Sequence, residues 1–184
     1  MDALYRGVRA GGEKMRLIII SGTCGAGKST VKDQLEARLD PRRFACIDTD
    51  EVGLNWWDYA GTGHEERFTD DCLKEAVRRA EGRDLIFCSC ANPQDYIGKH
   101  TIPEEVVSTV FVVLCPPDEV IRQRLNDRPA ERGFTTEEAI RPHIEYNQWF
   151  RKNRGKFPLF IDNSAMTEDE TADRIRAFIE GLPE

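Results

Sequence analysis

The chain has 184 residues, with 26 lysines and arginines against 33 aspartates and glutamates and a net charge of −7. This length fits one compact domain with a substantial core. The acidic balance argues against a global basic footprint for nucleic acid or an anionic membrane, and no apolar run approaches the roughly 20 residues that span a bilayer.

Residues 1–14 lack the apolar core of a signal peptide and read as a disordered extension or leader, with Met15 a candidate start. The expected domain is then residues 15–184. It opens with Leu17-Ile18-Ile19-Ile20-Ser21, a short apolar run typical of a buried parallel strand. Gly22-Thr23-Cys24-Gly25-Ala26-Gly27-Lys28-Ser29 follows, with the spacing G-x-x-x-x-G-K-S of a phosphate-binding loop. Its glycines let successive N–H groups converge on phosphate oxygens. Lys28 suits the β- and γ-phosphates and Ser29 suits Mg²⁺. Beyond Thr30, residues Val31, Leu35 and Leu39 give a helix one apolar stripe, until Asp40-Pro41 stops it.

Phe44-Ala45-Cys46-Ile47-Asp48 reads as a second strand, ending in Asp48-Thr49-Asp50. An aromatic, glycine-bearing stretch over 53–63 carries Trp56, Trp57 and Tyr59. Thr62-Gly63-His64-Glu65 has capping-box spacing and is expected to open a helix that Gly82 ends. Asp84-Leu85-Ile86-Phe87-Cys88-Ser89 forms the third strand, and residues 92–103 read as polar and turn-rich. Thr109 to Cys115 form the fourth strand, and Pro116-Pro117-Asp118 starts a helix. Thr135-x-x-Glu138 is expected to cap the next helix, which carries Ile140, Ile144 and Trp149. Leu159-Phe160-Ile161-Asp162 gives a fifth strand, and Thr167-x-x-Glu170 caps a last helix through Ile175, Phe178 and Ile179.

Strands alternating with helices predict an α/β three-layer P-loop NTPase fold, a five-stranded parallel sheet flanked by helices. Ligands of such sheets sit at the carboxyl ends of the strands. Six cysteines never occur as C-x-x-C and read as reduced core thiols of a cytoplasmic protein. Cys88-Ser89-Cys90 supplies no four-ligand metal set, and His64, His100 and His143 show no ligand spacing.

On these residues the chain resembles the nucleoside monophosphate kinase-like superfamily, and within it the shikimate kinase and gluconate kinase branch. The D-x-D of Asp48 and Asp50 is similar to that branch, as is Arg124-Leu125-x-x-Arg128. Cys88-Ser89-Cys90-Ala91 with Tyr96 resembles C-S-A-L…Y-R, although no Arg follows Tyr96. The resemblance implies an ATP-dependent phosphotransferase moving the γ-phosphoryl group of Mg-ATP to a hydroxyl of a small metabolite. It implies ATP and Mg²⁺ as cofactors, Asp48 near the metal beside Ser29, and Asp50 on the acceptor hydroxyl. Arg124 and Arg128 would reach over the triphosphate, and Asn163, in the segment before the last helix, would lie on adenine. An acceptor-binding segment falls at about 51–83 and a lid at about 126–134.

Side-chain chemistry adds Arg128 as a cation for phosphoryl transfer, Arg132 as a second lid arginine, and Trp56, Trp57 and Arg67 as candidates for the acceptor. Arg122 fits a solvated helix face equally well. A nucleoside monophosphate acceptor is the alternative, since lid arginines could reach a phosphate. A GTPase reading fits poorly: Asp50-Glu51-Val52-Gly53 follows the loop too soon, and no N-K-x-D occurs. A nucleotide sensor remains open, because fold does not fix function. The partners expected are a small-molecule acceptor, no nucleic acid and no membrane, with a monomer or weak homodimer as the assembly.

Overall fold

The computed structural model describes residues 14–183. The expected leader, residues 1–14, lies outside the described residues except for Lys14. In chain order the elements are β1 (Met15–Ser21), α1 (Lys28–Glu36), β2 (Phe44–Asp48), α2 (Glu66–Ala80), β3 (Asp84–Ser89), α3 (Pro93–Gly98), β4 (Val106–Leu114), α4 (Asp118–Asn126), α5 (Glu137–Lys152), β5 (Leu159–Ile161) and α6 (Glu168–Glu180). The sheet is all parallel with order β2-β3-β1-β4-β5.

Alternation along the buried strands builds two apolar layers. Ile18 and Ile20 of β1 face α1, α4, α5 and α6 through Val31, Leu35, Ile121, Ile144 and Ile175. Leu17 and Ile19 face the opposite layer, where α2 contributes Cys72, Leu73, Ala76 and Val77 and α3 contributes Tyr96. The second half of α5 closes a third cluster, Phe150 on Val113 and Cys115. Ser21 pairs with Ser89 and Asp48 with Cys88 in register, so the carboxyl ends of β1, β2 and β3 lie side by side. No helix among the described residues is long and apolar enough to cross a membrane.

Several boundaries differ from the sequence reading. β1 starts two residues earlier and β4 starts at Val106, because Met15 pairs with Val106 at the sheet's far end. The turn-rich stretch contains α3, whose Asn92 side chain caps Gln94 N and whose first position is Pro93. The Thr62 capping box does not form. The Thr62 hydroxyl donates to Tyr59 O instead, and Glu65 accepts from Gly61 N and Gly63 N, which leaves α2 to start at Glu66 without a side-chain cap. That helix ends on Glu81, left-handed at φ 51°, one residue before Gly82. The cap of α5 is Thr136, accepting from Ala139 N, and not Thr135. The capping box of Thr167 and Glu170 forms as expected.

The Thr136 assignment has a direct consequence. Thr136→Ala should destabilise the chain by about 1 kcal/mol in urea unfolding, whereas Thr135→Ala should leave the midpoint nearly unchanged. Equal losses at the two positions would refute the assignment.

Candidate functional site

The loop between β1 and α1 is shaped by steric necessity. A Cβ on Gly22 would lie 2.6 Å from Leu114 O and 2.9 Å from Ala26 Cβ, so only glycine lets the chain turn this close to β4. Gly27 caps α1 at φ 96° with no side-chain acceptor, which leaves the first N–H groups of that nine-residue helix for another partner. The Lys28 side chain folds back over this loop and is buried. Its Nζ donates to Gly22 O at 2.9 Å and to Thr23 O at 3.0 Å. Burial opposes its charge, yet the facing Cys90 and Cys24 thiols raise its pKa above the ordinary lysine value.

Ser29, in the first turn of α1, donates from Oγ to Asp48 Oδ2 at 2.8 Å. Asp48 is buried, and among the described residues no lysine or arginine pairs with it. Its Oδ1 accepts from Asp50 N at 3.1 Å, while Glu51 Oε2 accepts from Asp48 N at 2.9 Å. The 3-10 turn Thr49–Glu51 is fixed from outside as well. Lys32 donates to Glu51 at 2.5 Å, and Arg79 donates to Glu51 O and Val52 O at 3.0 and 2.7 Å. A buried carboxylate beside a hydroxyl, with no cationic side chain on it, is a hard-oxygen pair that fits Mg²⁺. Among the described residues no group of three or more His, Cys, Asp or Glu could hold a metal.

Asp50 projects from the same turn with its side chain 78 % exposed, and Arg132 Nη2 stands 3.7 Å from its Oδ2. The other arginines divide by direction. Arg124 donates to Gly25 O at 3.1 Å and Ala26 O at 3.4 Å, and Asn163 Nδ2 donates to Ala26 O at 3.1 Å. Arg128 lies over the Phe134 ring at 5.4 Å. Arg122 turns outward to Glu137. Gly27, Thr30, Arg124, Arg128, Asn163 and Met166 line a cavity of about 210 Å³ over the start of α1. Asn163 Oδ1 is buried without a hydrogen-bond partner, which leaves an acceptor for a bound group such as a nucleobase. A larger hollow of about 540 Å³ opens at the other end of the sheet, by Met15 and Glu105, remote from all of these groups.

The acceptor candidates are less gathered. Trp56 and Tyr59 both pack edge-on to Phe68 at 5.4 Å, and Tyr59 OH donates to Asp71. Trp57 is 78 % exposed. Arg67 is exposed near the start of α2; its backbone N–H donates to His64 O at 3.0 Å, and its guanidinium has no hydrogen bond or ion pair among the described residues.

Three contacts escaped the sequence reading. Arg79 fixes the turn that carries Asp50. His143 Nδ1 sits 3.3 Å from Thr23 Oγ1, and burial lowers its pKa. Cys24 Sγ lies 3.8 Å from Cys90 Sγ. The thiols are therefore not all core groups: Cys90 is exposed, and Cys24 and Cys46 are half-buried. The Cys90 hydrogen bond, against opposing burial and with help from Lys28 and Arg128, lowers the Cys24 pKa to about 6.

A sequence model of the AAA domain family matches residues 18–143, which span the loop, the D-x-D turn, the arginine helix and His143. The chain belongs to the AAA domain family. No curated protein matches it. Solved structures do resemble this AAA domain. Shikimate kinase from Acinetobacter baumannii, in complex with shikimate, is 21% identical with a TM-score of 0.64, covering 93% of this chain and 97% of that one. A sugar kinase from a Janibacter species is 16% identical with a TM-score of 0.61, covering 92% and 96%. Deoxyadenosine kinase from M. mycoides, with dCMP and dCDP bound, is 15% identical with a TM-score of 0.58, covering 90% and 100%. At these identities the likeness is one of fold, and the AAA domain has the P-loop kinase fold.

The lowered Cys24 pKa can be read by site-resolved alkylation of the reduced chain with iodoacetamide. The Cys24 rate should rise through a midpoint near pH 6, and Cys90→Ala should move that midpoint upward because it removes the largest cause. A wild-type midpoint at the ordinary thiol value of about 8.5 would contradict the arrangement.

Proposed function

We propose that the chain is an ATP-dependent phosphotransferase that moves the γ-phosphoryl group of Mg-ATP to a hydroxyl of a small metabolite. The observation that carries this reading is the Asp48–Asp50 turn. It sets one buried carboxylate on Ser29 and one exposed carboxylate two residues further on, both at the mouth of the phosphate loop. Phosphoryl transfer needs that division: one carboxylate beside a metal and another free to orient a nucleophile.

The loop N–H groups of residues 22–29 and the start of α1 would cradle the phosphates, with Thr30, Arg124 and Asn163 along the nucleotide cavity. Lys28 would exchange its two loop carbonyls for β- and γ-phosphate oxygens. Ser29 and Asp48 would hold Mg²⁺, which when bound offsets charge on those oxygens. Asp50 takes the hydroxyl proton and holds the acceptor oxygen for attack. Arg128 leaves the Phe134 face to balance charge spreading over the transferring group, within a lid of about 126–134 whose Arg132 already reaches Asp50. Arg67, with Trp56 or Trp57, would grip the acceptor, an anion and an apolar face respectively. A second reading, transfer to the phosphate of a nucleoside monophosphate, is favoured by Arg132, since a dianionic acceptor would pair with it in place of Asp50.

ATP consumption across hydroxy acids, sugars, nucleosides, nucleoside monophosphates and aminoglycosides tests both readings. The expected result is turnover with a hydroxyl acceptor, lowered 100-fold or more in Lys28→Ala with an unchanged circular dichroism spectrum. Turnover confined to AMP, CMP, UMP or a deoxynucleotide would overturn the hydroxyl assignment. Near-normal turnover in Lys28→Ala would overturn the kinase reading, and tight ATP binding without turnover of any acceptor would favour a sensor.

A further inference from the structure

We propose that Cys24 and Cys90 form a reversible intramolecular disulfide that closes the phosphate loop to nucleotide. Their sulfurs are 66 residues apart in sequence and 3.8 Å apart in space. A disulfide needs about 2.05 Å, so the gap must shrink by roughly 1.8 Å. Closing that gap requires the loop to yield. Cys24 sits between Gly22 and Gly25, whereas Cys90 follows β3 on an anchored backbone: Ser89 Oγ accepts from both Ala91 N at 3.1 Å and the buried Tyr96 OH at 2.9 Å. Closing the bond therefore draws Cys24 toward β3. The loop N–H groups leave their convergence, and the sulfur pair stands beside the Lys28 ammonium, which already faces both thiols. The loss of nucleotide rests on the nucleotide reading of the loop; the bridge itself does not.

The chemistry of the six thiols separates this pair from the rest. Burial pushes Cys46 up to about 12 and both Cys72 and Cys115 up to about 11, and it raises Cys88 well above the ordinary value. Cys24 is lowered to about 6, while the hydrogen bond between the two sulfurs raises Cys90 well above the ordinary thiol value. One thiolate beside one thiol is the composition of an attacking and a resolving cysteine. With a small-molecule disulfide as oxidant, the Cys24 thiolate attacks one of its sulfurs. It forms a mixed disulfide and expels one thiolate, which takes up a proton. Cys90 then loses its proton as its sulfur attacks the Cys24 sulfur, and the second small thiol leaves. Two protein thiols are oxidised and one small disulfide is reduced to two thiols.

The test uses the full chain with oxidised glutathione, unreduced proteolysis with mass spectrometry, and titration with a non-hydrolysable ATP analogue. The expected result is a peptide pair joined through Cys24 and Cys90, with analogue affinity at least tenfold weaker and restored by dithiothreitol. Cys90→Ser should instead keep glutathione on Cys24 as a stable adduct. A stable adduct on wild-type Cys24 without the bridge would overturn the pair, and a bridge that leaves analogue affinity unchanged would overturn the closure. A reduced wild-type chain that binds no analogue would overturn the nucleotide reading itself, whereas a missing bridge would overturn only the cysteine pair.

Discussion

The buried ammonium of Lys28 is the constraint on which the rest of the site depends. A charge inside protein must be solvated by protein, and here the solvating groups are the carbonyls of Gly22 and Thr23, in the lysine's own loop. Those carbonyls point inward only because the chain turns sharply at Gly22, against Leu114 O, where no larger residue fits. The sharp turn in turn requires β1 and β4 to be neighbours in the sheet, which the order β2-β3-β1-β4-β5 provides. Loop, lysine and central strand pair therefore form one mechanical unit.

Around that unit the second strand delivers the carboxylates. The ladder fixes Asp48 opposite Cys88, and Ser29 reaches it across the start of α1. Lys32 and Arg79 then hold the following turn, so that Asp50 is displayed by a rigid backbone although its side chain is exposed. The segment proposed for the acceptor is built differently. Its aromatic residues rest on Phe68, and Trp57 and Arg67 extend outward. On the proposed reading, a phosphate loop held by these contacts beside a looser acceptor segment suits an acceptor that completes its own site on binding.

Much of this was legible in the sequence, because its signals are local. The isoleucine run of β1, the glycine spacing of the loop and the Thr167–Glu170 box each fix structure within a few residues. Two neighbouring signals misled for an equally local reason. Thr135 and Thr136 both offer a hydroxyl before an acidic first turn, and the backbone at Thr136 decides between them. Thr62 and Glu65 have the right spacing, but the tight turns at Gly61 and Gly63 offer Glu65 nearer donors. Asn92-Pro93 did carry a helix start, yet its helix is only six residues long and shows no periodic stripe. The contacts of Cys24 with Cys90 and of Thr23 with His143 span 66 and 120 residues, and no local pattern announces them. They exist because the parallel crossovers bring the ends of β1 and β3 and the face of α5 to one place.

The most direct test of this account is a crystal structure of the reduced chain with a non-hydrolysable ATP analogue and Mg²⁺. The account predicts phosphates in the loop of residues 22–29, the Lys28 ammonium turned from Gly22 O and Thr23 O onto their oxygens, and the base beside Asn163. An analogue bound elsewhere, or one in the loop with Lys28 still on its two carbonyls, would contradict it.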